Sequence, residues 1–309
     1  MKLKSYLIKG SKIGFLLLAI MACVAIVQVP HWFLQLFTHL MFQISVGLAV
    51  FSLLFGLIGE RKLALFALLL CIPTIFYQWN GPHASTNSPL TKAQITLQSI
   101  NVLSNNSQFD KVQSYITQSD PDILVITEFS SPWKTNLNLH NYPYSIESVR
   151  NDNFGIALFS KLPLTEKKIL HLGEKRFPVV KASVSFKNQL TTIVGVHLEN
   201  PMGSQSMSLQ NIQLDQLFDM LDPLPSIVLA GDMNLTSYTR QFRKLKRKLK
   251  LVDSRKGFQR QASWPTLLPA ILRIPIDHVL VSKDIEIEHR SLGPNIGSDH
   301  LPVLIRLGK

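Results

Sequence analysis

The chain has 309 residues, with 32 Lys and Arg against 20 Asp and Glu; its formal net charge of +12 favours anionic partners such as nucleic acid, phospholipid headgroups or phosphorylated substrates and says nothing of fold. Cys23 and Cys71 both lie in apolar runs, so the polar part of the chain has no thiol for a disulfide, a zinc–thiolate site or a cysteine nucleophile. Composition changes sharply near Asn80: before it Glu60 is the only acid, and beyond it the length suits one large mixed domain.

Three apolar runs come first. Ile13 to Val29, Trp32 to Gly59 and Leu63 to Trp79 carry no formal charge, and each is about long enough to span ~30 Å of hydrocarbon at ~1.5 Å per residue. The alternatives are a signal peptide for the first and buried core helices for the others, although a signal peptide is not normally followed by two more such runs. Lys2, Lys4, Lys9 and Lys12 precede the first run, and Arg61 with Lys62 follow the second, so the positive-inside rule puts the amino terminus and the second turn in the cytoplasm. Three spans then place everything after Trp79 outside it, in a multi-pass protein of the cytoplasmic (inner) membrane. If the third run is interfacial, the remainder faces the cytoplasm instead. The organisation expected is a transmembrane anchor of about three helices over 1–79, a linker over 80–92 (NGPHASTNSPLTK, too polar to fold alone), and a domain over 93–309.

In that domain strand-like runs recur at Ile95 to Leu103, Ile123 to Thr127, Phe154 to Phe159, Val179 to Phe186, Thr191 to His197, Ile227 to Ala230, Ile276 to Val281 and Val303 to Leu307. Helical patterns interrupt them at Phe109 to Gln118, Ser206 to Leu221 and Tyr238 to Leu249. The last is strongly basic (YTRQFRKLKRKLK), with Phe242, Leu245 and Leu249 at helical spacing. It reads as a solvated outer face, a contact for anionic headgroups, or a contact for a nucleic-acid backbone. Several strand runs end in polar residues: Asn101, Glu128, His197, and Asp232 with Asn234 just beyond. Singly each suits a turn or cap; together they suit a site at one end of a sheet.

The segments SINVL, DILVITE, FGIALFSKLPL, VGVHLENP, LAGDMNLT, SWPT, IDHVLVS and GPNIGSDHLPV occur in this order between Ser99 and Val303. The sequence resembles the endonuclease/exonuclease/phosphatase superfamily over Ile95 to Leu307, most closely its membrane-anchored bacterial branch. The resemblance implies an α/β protein: a four-layer α/β sandwich of two packed β-sheets flanked by helices, here with an N-terminal transmembrane helical anchor.

It further implies a divalent-metal-dependent phosphoester hydrolase using Mg²⁺ or Mn²⁺, for which hard carboxylate and amide oxygens are the fitting donors. Glu128 matches the principal metal ligand, with Asn101 beside it and Asp299 as a further ligand. Asp232 matches the residue that orients or deprotonates the attacking water, and Asn234 the amide that meets the scissile phosphate. His300 matches the phosphate-contacting histidine, Asp277 the carboxylate paired with it, and His197 a second phosphate-facing histidine. His278 is expected to be structural. Where abasic-site nucleases of the family carry a tyrosine this chain has Asn153, which weighs against that repair activity. Three functions remain open at this stage: a phosphodiesterase or phosphatase acting on a lipid-linked or other anionic phosphoester, a nuclease acting on DNA or RNA, and a non-catalytic membrane binding module. Membrane lipids are expected partners, and no obligate protein partner is.

Overall fold

The computed structural model describes residues 2–78, 94–186, 188–221 and 224–308, so Trp79 and the linker expected over 80–92 lie outside the described residues. Two compact units emerge. One gathers the amino-terminal helices together with Met202–Ser204 and Thr236–Arg243; the other holds the remaining chain, with both sheets.

The helical unit contains α1 (Lys2–Val27), α2 (Trp32–His39), α3 (Met41–Leu57) and α4 (Arg61–Gln78). Ile8–Val27 and Arg61–Gln78 are each long and apolar enough to cross a membrane, whereas α2 and α3 qualify only together, as a pair bent by 65°. The run from Trp32 to Gly59, expected to be long enough for one span, is so only if this bent pair counts as one. The chain leaves helical geometry at Leu40, and α2 turns the polar Gln35, Thr38 and His39 inward, where the Thr38 hydroxyl donates to the Ala25 carbonyl (3.3 Å). The interior of this unit is lined by Ala19, Ala22, Ala25 and Ala67 with Phe15 and Leu48, while Leu16, Leu17, Ile20, Leu53, Leu69 and Phe76 face outward. With Met41, Ile44 and Phe55 also inside, inner and outer faces alike are apolar, the pattern of helices that lie in a larger core or in a membrane.

The second unit comprises β1 (Gln94–Asn101), α5 (Phe109–Ser119), β2 (Ile123–Thr127), α6 (Ser131–Asn136), β3 (Tyr144–Ser148), β4 (Ile156–Ser160), β5 (Thr165–Leu172), β6 (Phe177–Phe186), β7 (Gln189–His197), α7 (Ser204–Leu221), β8 (Ile227–Asp232), α8 (Arg240–Lys248, whose start is shared with the helical unit), β9 (Leu251–Asp253), β10 (Asp277–Ser282), β11 (Glu286–Leu292) and β12 (Val303–Gly308). The strands form two six-stranded mixed sheets, ordered β11-β12-β1-β2-β4-β3 and β5-β6-β7-β8-β10-β9. At the centre of each lies a parallel pair joined through a helix, β1–α5–β2 and β7–α7–β8.

Alternation along the strands builds the layers. Ile123 and Val125 of β2 enter the core between the sheets, with Ile95, Leu97, Ile156, Val180, Val228 and Val279, while Leu124 and Ile126 face α5 through Val112 and Ile116. The outer helix α7 buries Leu214, Leu217 and Phe218. The chain is thus an α/β sandwich of two packed sheets flanked by helices. Both parallel pairs end at their carboxyl ends in polar residues: Asn101 pairs with Thr127 just before Glu128, and His197 pairs with Asp232, which also faces Asp277 across the antiparallel β8–β10 ladder. The topology alone brings Asn101, His197, Asp232 and Asp277 to strand ends, with Glu128 one residue beyond β2.

Candidate active site

Asp232 closes β8 after Gly231, whose φ of +140° and whose Cβ position, 1.9 Å from the Val196 carbonyl oxygen, admit no side chain. Its carboxylate is a hub: Oδ2 accepts from the Asn101 amide (3.1 Å) and lies 3.5 Å from His197 Nε2 and 3.6 Å from His300 Nε2, while Oδ1 accepts from the Asn234 backbone N–H (2.9 Å). That last bond makes a tight turn, with Asn234 at φ +49°, in place of a continuing strand. The Asn234 amide then donates to the Leu198 carbonyl (2.9 Å) and meets His197 Nε2 at 3.5 Å.

Glu128 sits one residue past β2 in the left-handed region (φ +61°), a conformation unusual for a glutamate and of the kind that accumulates where a side chain must be aimed. Its Oε2 accepts from both the backbone N–H (2.8 Å) and hydroxyl (2.9 Å) of Ser104, and its Oε1 accepts from Asn101 (3.1 Å). One amide nitrogen therefore bridges Glu128 and Asp232, while the Asn101 amide oxygen is turned to the Leu103 N–H (3.0 Å). A cation seated between Glu128 and Asp232 would meet that oxygen only with the amide turned over.

Asp277, at the start of β10, bonds His300 Nδ1 through Oδ2 (2.9 Å). Burial alone pushes the imidazole pKa down, but the Asp277 and Asp232 carboxylates, the bond to Asp277 and then Asp299 outweigh it and hold His300 up at about 10. Reciprocally, burial works to raise Asp277 and the imidazolium wins, leaving its carboxyl below the usual range. Asp232 goes the other way: burial raises it and the nearby Asp277 adds to this, against the pull of His300 and His197. Asp299 lies at the His300 end, its Oδ2 accepting from the Trp264 indole (2.9 Å) and its Oδ1 3.9 Å from His300 Nε2. His278 bonds the Leu235 carbonyl through Nε2 (2.7 Å), away from this cluster.

All eight candidate residues thus fall in one connected set. Three residues without an assigned role support it: Ser104 clamps Glu128, Trp264 holds Asp299, and the Ser298 hydroxyl ties the His300 turn to the Asn101 carbonyl (2.7 Å). SWPT and GSDH already contain Trp264 and Ser298; nothing in the sequence singles out Ser104. Asn153 is exposed, while its neighbour Phe154 packs on the His197 ring at 5.1 Å.

A divalent cation fits this chemistry. Glu128, Asp232 and Asp277 are all more than nine-tenths buried, and the His300 imidazolium and the Arg290 guanidinium both sit beside Asp277, so among the described residues the Glu128 carboxylate has no cationic side chain against it. Among the described residues, Asp232, Asp277 and His300 offer donor atoms within 4.8 Å of one another. On the Glu128 side the donors are carboxylate and amide oxygens, the kind a hard divalent ion prefers.

The sequence profile of the endonuclease/exonuclease/phosphatase family matches residues 99–300. The chain belongs to this family. No curated protein sequence matches it. Similar solved structures include D. rerio TDP2 humanized by 14 mutations (17% identity, 70% of this chain and 99% of that one, TM-score 0.58), D. rerio TDP2 complexed with single strand DNA product (18%, 70% and 99%, 0.59) and an endonuclease/exonuclease/phosphatase from Beutenbergia cavernae DSM 12333 (16%, 70% and 72%, 0.56). At these identities the likeness establishes the fold. By class the family member is a phosphoester hydrolase or nuclease.

The His300–Asp277 pair carries a pH dependence. Because the folded-state pKa is raised, the imidazolium persists through neutral pH and is lost only as pH rises through about 10. The alkaline limb of the pH–rate profile is expected there, and Asp277→Asn is expected to draw it down toward the ordinary imidazole range of about 6.5. An unmoved limb would assign it to another group.

Proposed function

We propose that this chain is a membrane-anchored, Mg²⁺- or Mn²⁺-dependent phosphodiesterase or phosphatase acting outside the cytoplasm on a lipid-linked or other anionic phosphoester. The observation that carries the hydrolytic reading is the buried Glu128–Asn101–Asp232–His300–Asp277 chain of contacts at the strand ends. When bound, the cation would neutralise phosphate oxygens from the Glu128 side. Asp232 takes the proton of the attacking water, a task suited by its raised pKa. His300, fixed and charged by Asp277, faces the phosphate or leaving oxygen, and Asn234 and His197 hold the remaining phosphate oxygens.

The anchor rests on the outward-facing leucines and phenylalanines of α1, α3 and α4 and on Lys9, Lys12, Arg61 and Lys62 at one end of the spans. Counting α2 and α3 as one bent span keeps the total at three and the hydrolase outside. Membrane lipids are also the proposed partners of α8: Phe242, Leu245 and Leu249 are buried, while Arg240, Arg247, Lys248 and Lys250 are exposed. The second reading, a nuclease, is favoured by the net charge of +12 and by the likeness to a TDP2 solved with a single strand DNA product. Purified full-length protein is expected to hydrolyse a generic phosphodiester and vesicle-borne phosphoesters with Mg²⁺ and to leave plasmid and single-stranded DNA intact; the reverse pattern selects the nuclease. A reporter fused after residue 93 that is active only in the cytoplasm would reverse the facing.

A further inference from the structure

Between Trp264 and Ile274 the chain leaves the second sheet in a loop that is built, and built with its apolar side chains outward. Its neck is a two-way backbone bridge, Trp264 N–H to Ile274 O (3.1 Å) and the return bond (2.6 Å). Internal turns close it, Leu268 N–H to the Pro265 carbonyl and Leu272 N–H to the Pro269 carbonyl. Two arginines stitch it further: Arg273 donates to the Leu268 (2.8 Å) and Thr266 (3.1 Å) carbonyls, and Arg260 to those of Arg273 (2.7 Å) and Ala270. Yet Leu267 is 91% exposed, Leu268 37%, Ile271 52% and Leu272 46%. Elsewhere in the sheet unit exposed large apolar residues such as Tyr144, Ile169 and Leu190 stand singly, which is ordinary; four within six residues is not.

The loop adjoins the site. Trp264 holds Asp299, the Thr266 N–H donates to the Asp299 carbonyl (2.8 Å), and the Thr266 hydroxyl donates to the Ser298 carbonyl (2.9 Å), so its base is bonded to the turn that carries His300. A bilayer is also at hand. Fifteen residues separate Gln78, which ends the last apolar helix, from Gln94, which begins the first strand, and a chain of that length reaches at most ~58 Å. Arg273 within the loop, with Arg260 and the exposed Lys256 before it, complements anionic headgroups.

We propose that the loop Leu267–Leu272 is an interfacial element, seating its four apolar side chains at the acyl–headgroup boundary of a bilayer and so offering the adjoining cleft to amphiphilic phosphoesters that lie in it. This rests on the membrane-anchored hydrolase reading and names its substrate class. An apolar cluster held in place by backbone bonds inserts without first having to be ordered, and shallow insertion of this kind is how peripheral elements hold a membrane surface.

The test uses the full chain, with Cys23→Ser and Cys71→Ser, in nanodiscs of phosphatidylcholine and phosphatidylglycerol holding one copy each. A polarity-sensitive fluorophore on the Leu267→Cys variant is expected to emit to the blue and to be quenched by lipid spin-labelled near the carbonyl region, while the same label on the Tyr144→Cys variant is not. Equal exposure of both labels to aqueous iodide, without lipid quenching, overturns the proposal; so does a blue shift without lipid quenching, since protein then covers the loop. In a second arm, Leu267→Ser combined with Ile271→Ser is expected to cut hydrolysis of a vesicle-borne phosphodiester about tenfold or more and to leave a water-soluble one within about twofold. Equal loss on both substrates, or loss on neither, also overturns it. Absence of hydrolysis by the wild-type chain on either substrate sinks the hydrolase reading, and lipid quenching still decides the loop.

Discussion

Asp232→Asn is expected to lower kcat on a water-soluble phosphodiester by on the order of 10³-fold, about 4 kcal/mol in the barrier, with KM little changed. The substitution keeps size and the turn to the Asn234 N–H but removes the proton acceptor at the point where Asn101, His197 and His300 converge. Folding should not suffer. Burial and the adjacent Asp277 both disfavour the Asp232 carboxylate, so a neutral amide there is expected to leave Tm unchanged or slightly raised. Stopped activity with an intact melting transition is therefore the expected pair of results from steady-state kinetics and calorimetry. A variant retaining more than about a tenth of wild-type kcat would remove Asp232 from the reaction.

The second large effect concerns Glu128. Chelation by EDTA is expected to abolish turnover, and Glu128→Gln to lower it on the order of 10²–10³-fold at limiting Mg²⁺, with partial recovery as Mg²⁺ is raised. Binding offers a readout independent of turnover. A cation present at about 100 times its Kd stabilises the folded state by about 2.7 kcal/mol, which for a domain of this size raises Tm by about 5–10 °C. That shift is expected in the wild-type chain and not in Glu128→Gln. If the variant shifts as much as the wild type while Asp232→Asn does not, the cation sits on the Asp232 side, near the Asp277–His300 pair.

The interior strands were legible because burial on one or both faces writes an apolar run. Ile123 to Thr127 and Ile227 to Ala230 are buried throughout. The four strands that sequence reading missed, β3, β5, β9 and β11, are the four sheet edges. Their sequences, TEKKILHL in β5 and EIEHRSL in β11, carry charge where an interior strand carries valine, because an exposed edge needs polar side chains to discourage pairing with other chains. In the anchor the absence of charge hid the break at Leu40, since Gln35, Thr38 and His39 are too few to interrupt a hydropathy run. At the site, residue types and motif order pointed to the ionisable groups. What they could not convey was the rotamer of Asn101, the left-handed turn at Glu128 or the clamp from Ser104, each of which depends on loop geometry.

Strand β12 joins the first sheet by pairing with β1, and the bond from Ser298 to the Asn101 carbonyl crosses a separation of 197 residues beside it. Pairing of segments this far apart in the chain carries a larger closure cost than the local hairpins do, and we expect it late in folding. The His300 turn arrives with that strand. Catalytic competence should therefore appear late and all at once during refolding, so that recovery of turnover is itself a clock for completion of the sheet, and partly folded species remain chemically silent toward their substrate.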